Sequence, residues 1–260
     1  MPDNTISPEL ITDKLPTRFV GQRVLYYPSV TSTMDVAREE ARGKAPEGTV
    51  VIAGEQSAGK GRIKRVWLSP KGSIALSIIL YPDVKSLSYL VMLASLAVVH
   101  AIEELTRLKL GIKWPNDVLI NKRKVCGILV ESDVRQGKVN YAIIGIGINV
   151  NNRMVDCPDL TPIATSLRDE TGKEISRVKL VRQLLVEMEK FYLTLPEGEQ
   201  IYNKWRHRLV TLGKRVRVQS GQTALDGITE SVDEDGALLL RHSDGRITRI
   251  IAGDVNLRDY

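Results

Sequence analysis

The stretch NDVLINKRKVCGILVESDVRQGKVNYAIIGIGINV, Asn116 to Val150, decides the fold. It holds three apolar, β-branched runs separated by NKRK and RQGK, each short enough to be a hairpin turn. Strands joined this tightly lie antiparallel, because a parallel crossover needs a dozen residues or more. The meander predicts a mixed or antiparallel sheet rather than a doubly wound parallel one.

The flanks supply the other layers. RVLYYPSV reads as a short strand, and TSTMDVAREEARGKA as a helix capped by Thr31 or Ser32. GTVVIAGEQ is a buried strand entering a glycine loop, and VWLSPKGSIALSIILYP is a loop and a further strand. A helix is expected over Ser86–Leu108, with Ser86 as its cap. Its most apolar part, Tyr89 to His100, falls short of the roughly 20 residues a bilayer crossing needs, so it reads as a core helix and not a membrane span. ISRVKLVRQLLVEMEKFYLTL and EQIYNKWRHRLV repeat apolar residues at helical spacing. From Gly213 onward about five short strands alternate with Gly and Asp turns. The expected class is α+β: a mixed central sheet packed by helices over residues 1–212, then a small SH3-like β-barrel over 213–260.

With 43% apolar and 26% charged residues, the 260-residue chain has the composition of a globular protein with a sizeable core. Cys126 and Cys157 stand in no metal-binding or redox spacing and read as free thiols of a reducing cytoplasm. His100, His207 and His242 lie far apart and in no metal motif, so they read as packing or surface residues. The opening residues lack the basic-then-apolar order of a secretory signal. A net charge of +6 points to an anionic ligand without choosing among nucleotide, nucleic acid and acidic protein.

GEQSAGKGR, Gly54 to Arg62, falls one residue short of the nucleotide-triphosphate loop, because Gly61 stands where a Ser or Thr would hold magnesium. That loop also needs a helix directly after it, to aim backbone N–H groups at phosphate. A basic, extended segment follows here instead. What is left is a flexible loop with Gly59 and Gly61, dense in Lys60, Arg62, Lys64 and Arg65. The glycines permit positive φ or close approach, and arginine forks pair with phosphate oxygens. A solvated basic hairpin or a nucleic-acid patch fits the same composition, and Trp67 is either a purine stack or core.

Two further stretches favour a small-molecule site. KWPNDV puts Lys113, Trp114, Asn116 and Asp117 at a strand end, and Lys124 and Gly127 follow one hairpin later. GIGINVNN puts Gly145 and Gly147 near the end of an apolar strand, where absent side chains leave room against the backbone. No G-x-S-x-G nucleophile motif accompanies them. Several cations without a nucleophile suit phosphoryl or adenylyl chemistry, which depends on alignment and charge neutralisation.

Together these residues resemble the biotin protein ligases, in the type that lacks an N-terminal DNA-binding domain. The matches are STM at Ser32–Met34, EQSAGKGRIKRVW at Glu55–Trp67, KWPNDV at Lys113–Val118, RKVCGILVE at Arg123–Glu131 and GIGINV at Gly145–Val150, in the family's order and spacing. The resemblance implies a class II synthetase-like catalytic fold that makes biotinyl-5′-AMP from biotin and ATP with Mg²⁺. The biotin then passes to one lysine of a biotin carboxyl carrier protein. It assigns Ser32, Thr33, Met34, Gln56, Gly59, Lys60, Gly61, Arg62, Lys124, Gly127 and Gly145 to biotin, with Lys124 and Arg62 at the reaction. It assigns Arg62, Arg65, Trp67, Lys113, Asn116, Asp117 and Asn149 to ATP, with Asp117 towards the metal. This chain departs from the pattern at Lys60, where Arg is usual, at Lys64, where glycine is common, and at Met34, where Asn is often found.

Relatives that also repress transcription carry a winged helix of roughly 60 residues in front. About 20 residues precede the first strand here, with at most one helical turn in NTISPELITDKL, so no nucleic-acid partner is expected. A homodimer through a sheet edge is carried as an expectation from related enzymes. The alternatives are a lipoate–protein ligase, whose RRxSGGG stretch is absent, and a nucleic-acid-binding module.

Overall fold

Alternation of buried side chains along the strands places helices on both faces of one large sheet. The computed structural model describes residues 6–156, 159–220 and 223–257, so Cys157 lies outside the described residues, as does the side chain of Lys64. The chain opens with α1 (Pro8–Thr12), β1 (Val24–Val30), α2 (Thr33–Arg42), β2 (Val50–Lys60), β3 (Val66–Ser69) and β4 (Ile74–Leu80). Then come α3 (Tyr89–Thr106), β5 (Gly111–Lys113), β6 (Asp117–Ile120), β7 (Arg123–Arg135) and β8 (Lys138–Ile148). Next are α4 (Leu167–Thr171), α5 (Arg177–Tyr192) and α6 (Gly198–Arg208), and last β9 (Arg215–Ser220), β10 (Thr223–Val232), β11 (Leu238–Arg241), β12 (Ile247–Ile250) and β13 (Asp254–Leu257).

The first sheet runs β1-β2-β4-β8-β7-β6-β5, with β3 paired to β2. β1 and β2 are parallel, and the remaining pairs are antiparallel, so the sheet is mixed as expected. Both hairpins of the meander turn through left-handed pairs, Asn121–Lys122 and Gln136–Gly137, the backbone that matches strand twist. Val50, Ile52, Ile78, Ile144 and Ile146 point to one face, where α3 and α5 lie. Val51, Ile79 and Ile143 point to the other, where α2 lies with Met34, Ala37 and Ala41. The period of two is what lets one sheet serve two cores.

α3 is shorter than the sequence implies. It begins at Tyr89 after Ser88, whose side chain makes no capping bond, while Ser86 closes a separate 3-10 turn. As folded it is long and apolar enough to cross a membrane, contrary to the sequence estimate, but it packs in the core against α5 and α6. α4 was not anticipated, although Ser166 accepts from the Asp169 amide and Gly172 ends it in the left-handed region.

Glu189 on α5 accepts the backbone N–H groups of Arg18, Phe19 and Val20 at 2.7, 2.9 and 3.0 Å, fixing the segment that leads into β1. Glu189→Ala strands those donors, and the expected loss is about 2–3 kcal/mol. A fall in the urea midpoint at unchanged m-value checks it.

The second sheet is antiparallel throughout, ordered β12-β11-β10-β9-β13. It does not stand apart from the first unit. Val216, Val218, Leu238 and Leu240 share one buried cluster with Met92 and Trp205. Trp114 Nε1 donates to the Gly236 carbonyl at 2.8 Å, and Tyr202 donates to Val232 at 2.7 Å.

Candidate active site

A cavity of about 760 Å³, counting its open mouth, lies where α2, the β2–β3 hairpin and the β6–β7–β8 meander converge. The apolar wall comes from Leu76, Ile128, Leu129 and Ile146.

The start of α2 forms one end. Ser32 caps the helix, its Oγ accepting from the Met34 amide at 3.3 Å. Gln56 Oε1 accepts from the Thr33 amide at 2.8 Å and from its hydroxyl at 3.1 Å, and Ser77 donates to Thr33 Oγ1 at 2.8 Å. This chain of donors and acceptors is suited to a compact polar ring with both N–H and C=O groups.

The glycine segment is more ordered than its composition implies. β2 continues through Gly59 to Lys60. Gly59 is there for close approach, since a Cβ would meet the Trp67 carbonyl oxygen at 2.3 Å. Neither Gly59 nor Gly61 has positive φ; the left-handed residue is Ile63, at φ 53°, inside a 3-10 turn over Arg62–Lys64. A β-branched residue held there is strained. The short turn is not the α-helix of a triphosphate loop, so that reading stays excluded.

Two side chains of this protein fill the glycine slots on the meander. Met34 lies against Gly145, where a Cβ would come within 2.6 Å of its sulfur. The Trp67 ring lies over Gly127 and Gly147, with atoms 2.9 and 2.3 Å from where a Cβ would stand. Its Nε1 is buried without a hydrogen-bond partner. Gly147→Val is expected to expel the ring, costing about 1–3 kcal/mol, with a red shift in tryptophan emission as the readout.

Each of three cavity cations holds a carboxylate. Lys124 Nζ meets Asp117 at 2.6 Å and stands 5.2 Å from the Trp67 ring centre. Arg65 meets Asp254 at 2.5 Å, and Lys60 pairs with Asp35. Arg62 donates to Asn116 Oδ1 at 3.0 Å and to the Gly253 carbonyl at 3.4 Å, while Asn116 Nδ2 donates to Ile128 O at 2.7 Å. Burial lowers the Arg62 guanidinium and the Lys113 ammonium from their usual values, and nearby Asp254 and Asp117 oppose this. The cluster is built to receive an anion.

Most of the sequence-predicted residues line this cavity: Ser32, Thr33, Met34, Gln56, Lys60, Gly61, Arg62, Arg65, Trp67, Asn116, Asp117, Lys124, Gly127 and Gly145. Three stand behind it. Gly59 is covered by β3, and Lys113 neighbours Asp117 and Lys124 electrostatically. Asn149 is buried in the scaffold, its Nδ2 donating to Thr165 O at 3.1 Å and its Oδ1 accepting from Asn152. Sequence reasoning missed Ser77, Asp35, Asp254 and Gly147 as the seat of Trp67. Gly147 had a signal in its strand, whereas Asp254 is far along the chain from the Arg65 it pairs with and had none.

Two family models match, the "Biotin/lipoate A/B protein ligase family" over residues 26–149 and the "Biotin protein ligase C terminal domain" over residues 211–258. The bifunctional ligase/repressor BirA of Bacillus subtilis is 39% identical over 249 residues, covering 94% of this chain and 76% of the relative. The chain belongs to the biotin protein ligase family. A biotin–[acetyl-CoA-carboxylase] ligase from Paracoccus denitrificans, in the same family, is 35% identical over 205 residues, covering 75% of this chain and 85% of its own. Among solved structures, the biotin protein ligase of Aquifex aeolicus in complex with biotin and ATP superposes with a TM-score of 0.78 at 29% identity, over 92% of this chain and all of that one.

Proposed function

We infer that this protein is an ATP-dependent biotin–protein ligase, which activates biotin as biotinyl-5′-AMP and transfers it to a lysine of a biotin carboxyl carrier protein. The observation that carries the reading is one cavity lined together by the polar Ser32–Thr33–Gln56 group, an apolar set and the cations Arg62 and Lys124. Those three kinds of surface suit a ureido ring, a thioether-and-alkyl body and a carboxylate beside a phosphate.

Ser32, Thr33 and Gln56 orient the ring through hydrogen bonds. Lys124 and Arg62 offset the repulsion between an attacking carboxylate and an α-phosphate, and then hold the extra charge on the phosphate oxygens. The carboxylate oxygen forms the new bond to phosphorus, and pyrophosphate leaves with the bonding electrons. In the second step the acceptor lysine, as its free amine, attacks the acyl carbon and AMP leaves. Closure of the 59–67 segment keeps water from the mixed anhydride between the steps.

Mg²⁺ belongs to this proposal, as counter-charge to the triphosphate. The described residues hold no group of three or more His, Cys, Asp or Glu side chains placed for a metal. A magnesium ion carried by phosphates needs only one or two protein carboxylates, and Asp117 lines the cavity. The donor set therefore fits, with Asp117 as the ligand.

The finer assignments are part of the same reading. Trp67, Arg65, Lys113, Asn116 and Asn149 stay on the ATP side, the last from the scaffold behind the cavity. The unit boundary stays at residues 212 and 213, supported by the start of the second sheet at Arg215, and that sheet keeps its SH3-like assignment. A cytoplasmic location, a homodimer through a sheet edge, and no operator binding complete the proposal.

Incubation of the purified protein with biotin, ATP and Mg²⁺ is the test, with mass spectrometry for biotinyl-adenylate and for a carrier domain gaining one biotin. Lipoyl-adenylate in place of the biotinyl compound, or neither, would overturn the reading. A footprint on a biotin-operon promoter would overturn the absence of DNA binding.

A further inference from the structure

Among the described residues, every cation that lines the cavity from the β2–β3 hairpin or from β7 is held by a carboxylate or a carbonyl of the protein itself, and one of those holders comes from the second sheet. Asp254 is the first residue of β13. Its position is fixed by the β13–β9 ladder, in which Asp254 faces Gln219. Gly253 before it packs so closely on β9 that a Cβ would lie 2.9 Å from the Gln219 oxygen. Two consecutive residues of this rigid corner therefore grip two arginines of the hairpin: Asp254 takes Arg65 at 2.5 Å, and the Gly253 carbonyl takes Arg62 at 3.4 Å. The Asp254 side chain is 22% exposed and that of Arg65 68% exposed, so the carboxylate is the fixed partner and the arginine the mobile one.

The turn between the two arginines holds Ile63 in the left-handed region. It is closed by the Gly61 amide on the Arg65 carbonyl at 2.8 Å and the Arg65 amide on the Arg62 carbonyl at 3.1 Å. Anchors on both sides hold a conformation that the turn itself disfavours.

We propose that Asp254 is a positioning residue that occupies Arg65 in place of a substrate phosphate, so that the second sheet latches the hairpin until a nucleotide takes the arginine away. This rests on the nucleotide reading of the cavity given above. An incoming phosphate and the Asp254 carboxylate compete for one guanidinium, and each binds it through the same charge-assisted geometry. The competition lowers the apparent affinity for ATP by the fraction of molecules that are latched.

The test compares wild type, Asp254→Asn, Arg65→Gln and the double variant by biotin-dependent ATP–pyrophosphate exchange, with trypsin cleavage of the ligand-free proteins alongside. An exposed ion pair is worth a factor of about two to five in an equilibrium, so Asp254→Asn is expected to lower the KM for ATP by about that much with little change in kcat. In the Arg65→Gln background the same substitution should leave KM unchanged. Without ligand, trypsin should cut after Arg62 faster in both single variants, and the Arg65→Gln result stands even if Asp254→Asn folds poorly. A KM that rises or stays put in Asp254→Asn, an equal shift in the Arg65→Gln background, or unchanged cleavage would each overturn the latch. A wild-type protein without exchange activity would overturn the nucleotide reading and the latch with it, whereas active wild type with an unmoved KM overturns the latch alone.

Discussion

Lys124→Ala is expected to lower biotin-dependent ATP–pyrophosphate exchange by roughly 100- to 1,000-fold, the scale seen when one donor to a developing oxyanion is removed. The fold should survive. Lys124 is held through its main chain, its amide donating to Ile163 O and its carbonyl accepting from the Thr165 amide, both at 2.9 Å. The same substitution also takes away the ammonium that now pairs with Asp117 at 2.6 Å, so Asp117 loses the partner that holds it in place. Near-normal exchange by a folded Lys124→Ala protein would remove Lys124 from the mechanism.

Arg62→Gly is expected to do something different, releasing biotinyl-adenylate before an acceptor arrives. Arg62 ties the hairpin to β6 through Asn116 and to the second sheet through Gly253. Hydrogen bonds to a charged group are worth about 1.5–3 kcal/mol, or about 10- to 100-fold in escape rate. The free adenylate should acylate exposed lysines of bystander proteins. The check is a streptavidin blot of a mixture of unrelated proteins: bands across the mixture are expected, and labelling confined to the carrier domain would count against closure by this arginine.

Much of this architecture was legible because it is local. Period-two alternation in residues 116–150 defined three strands, and the turn residues Asn121, Lys122, Gln136 and Gly137 fixed how they reverse. The polar end was legible too, since Ser32 both caps a helix and faces the cavity. What escaped depends on distant partners. A glycine pattern does not say what fills the space, and here Trp67 and Met34 do. Asn149 was assigned to ATP only through the family resemblance, and the structure places its amide on Thr165 behind the cavity. The role of Asp254 was invisible, since nothing in the run GDVN indicates a partner in the glycine hairpin. The cap of α3 was misplaced because three nearby serine and aspartate positions compete for it and none makes the capping bond.

The core common to both sheets also bears on synthesis. The ribosome delivers β9 to β13 after the helices they pack on, so the face of Trp205 and Met92 that they cover stays open until those strands emerge. An uncovered aromatic and thioether surface invites association with other chains. A nascent copy of this protein is thus a natural client for holding chaperones until β13 emerges, and a stop codon placed before β9 would yield aggregate rather than a smaller working ligase.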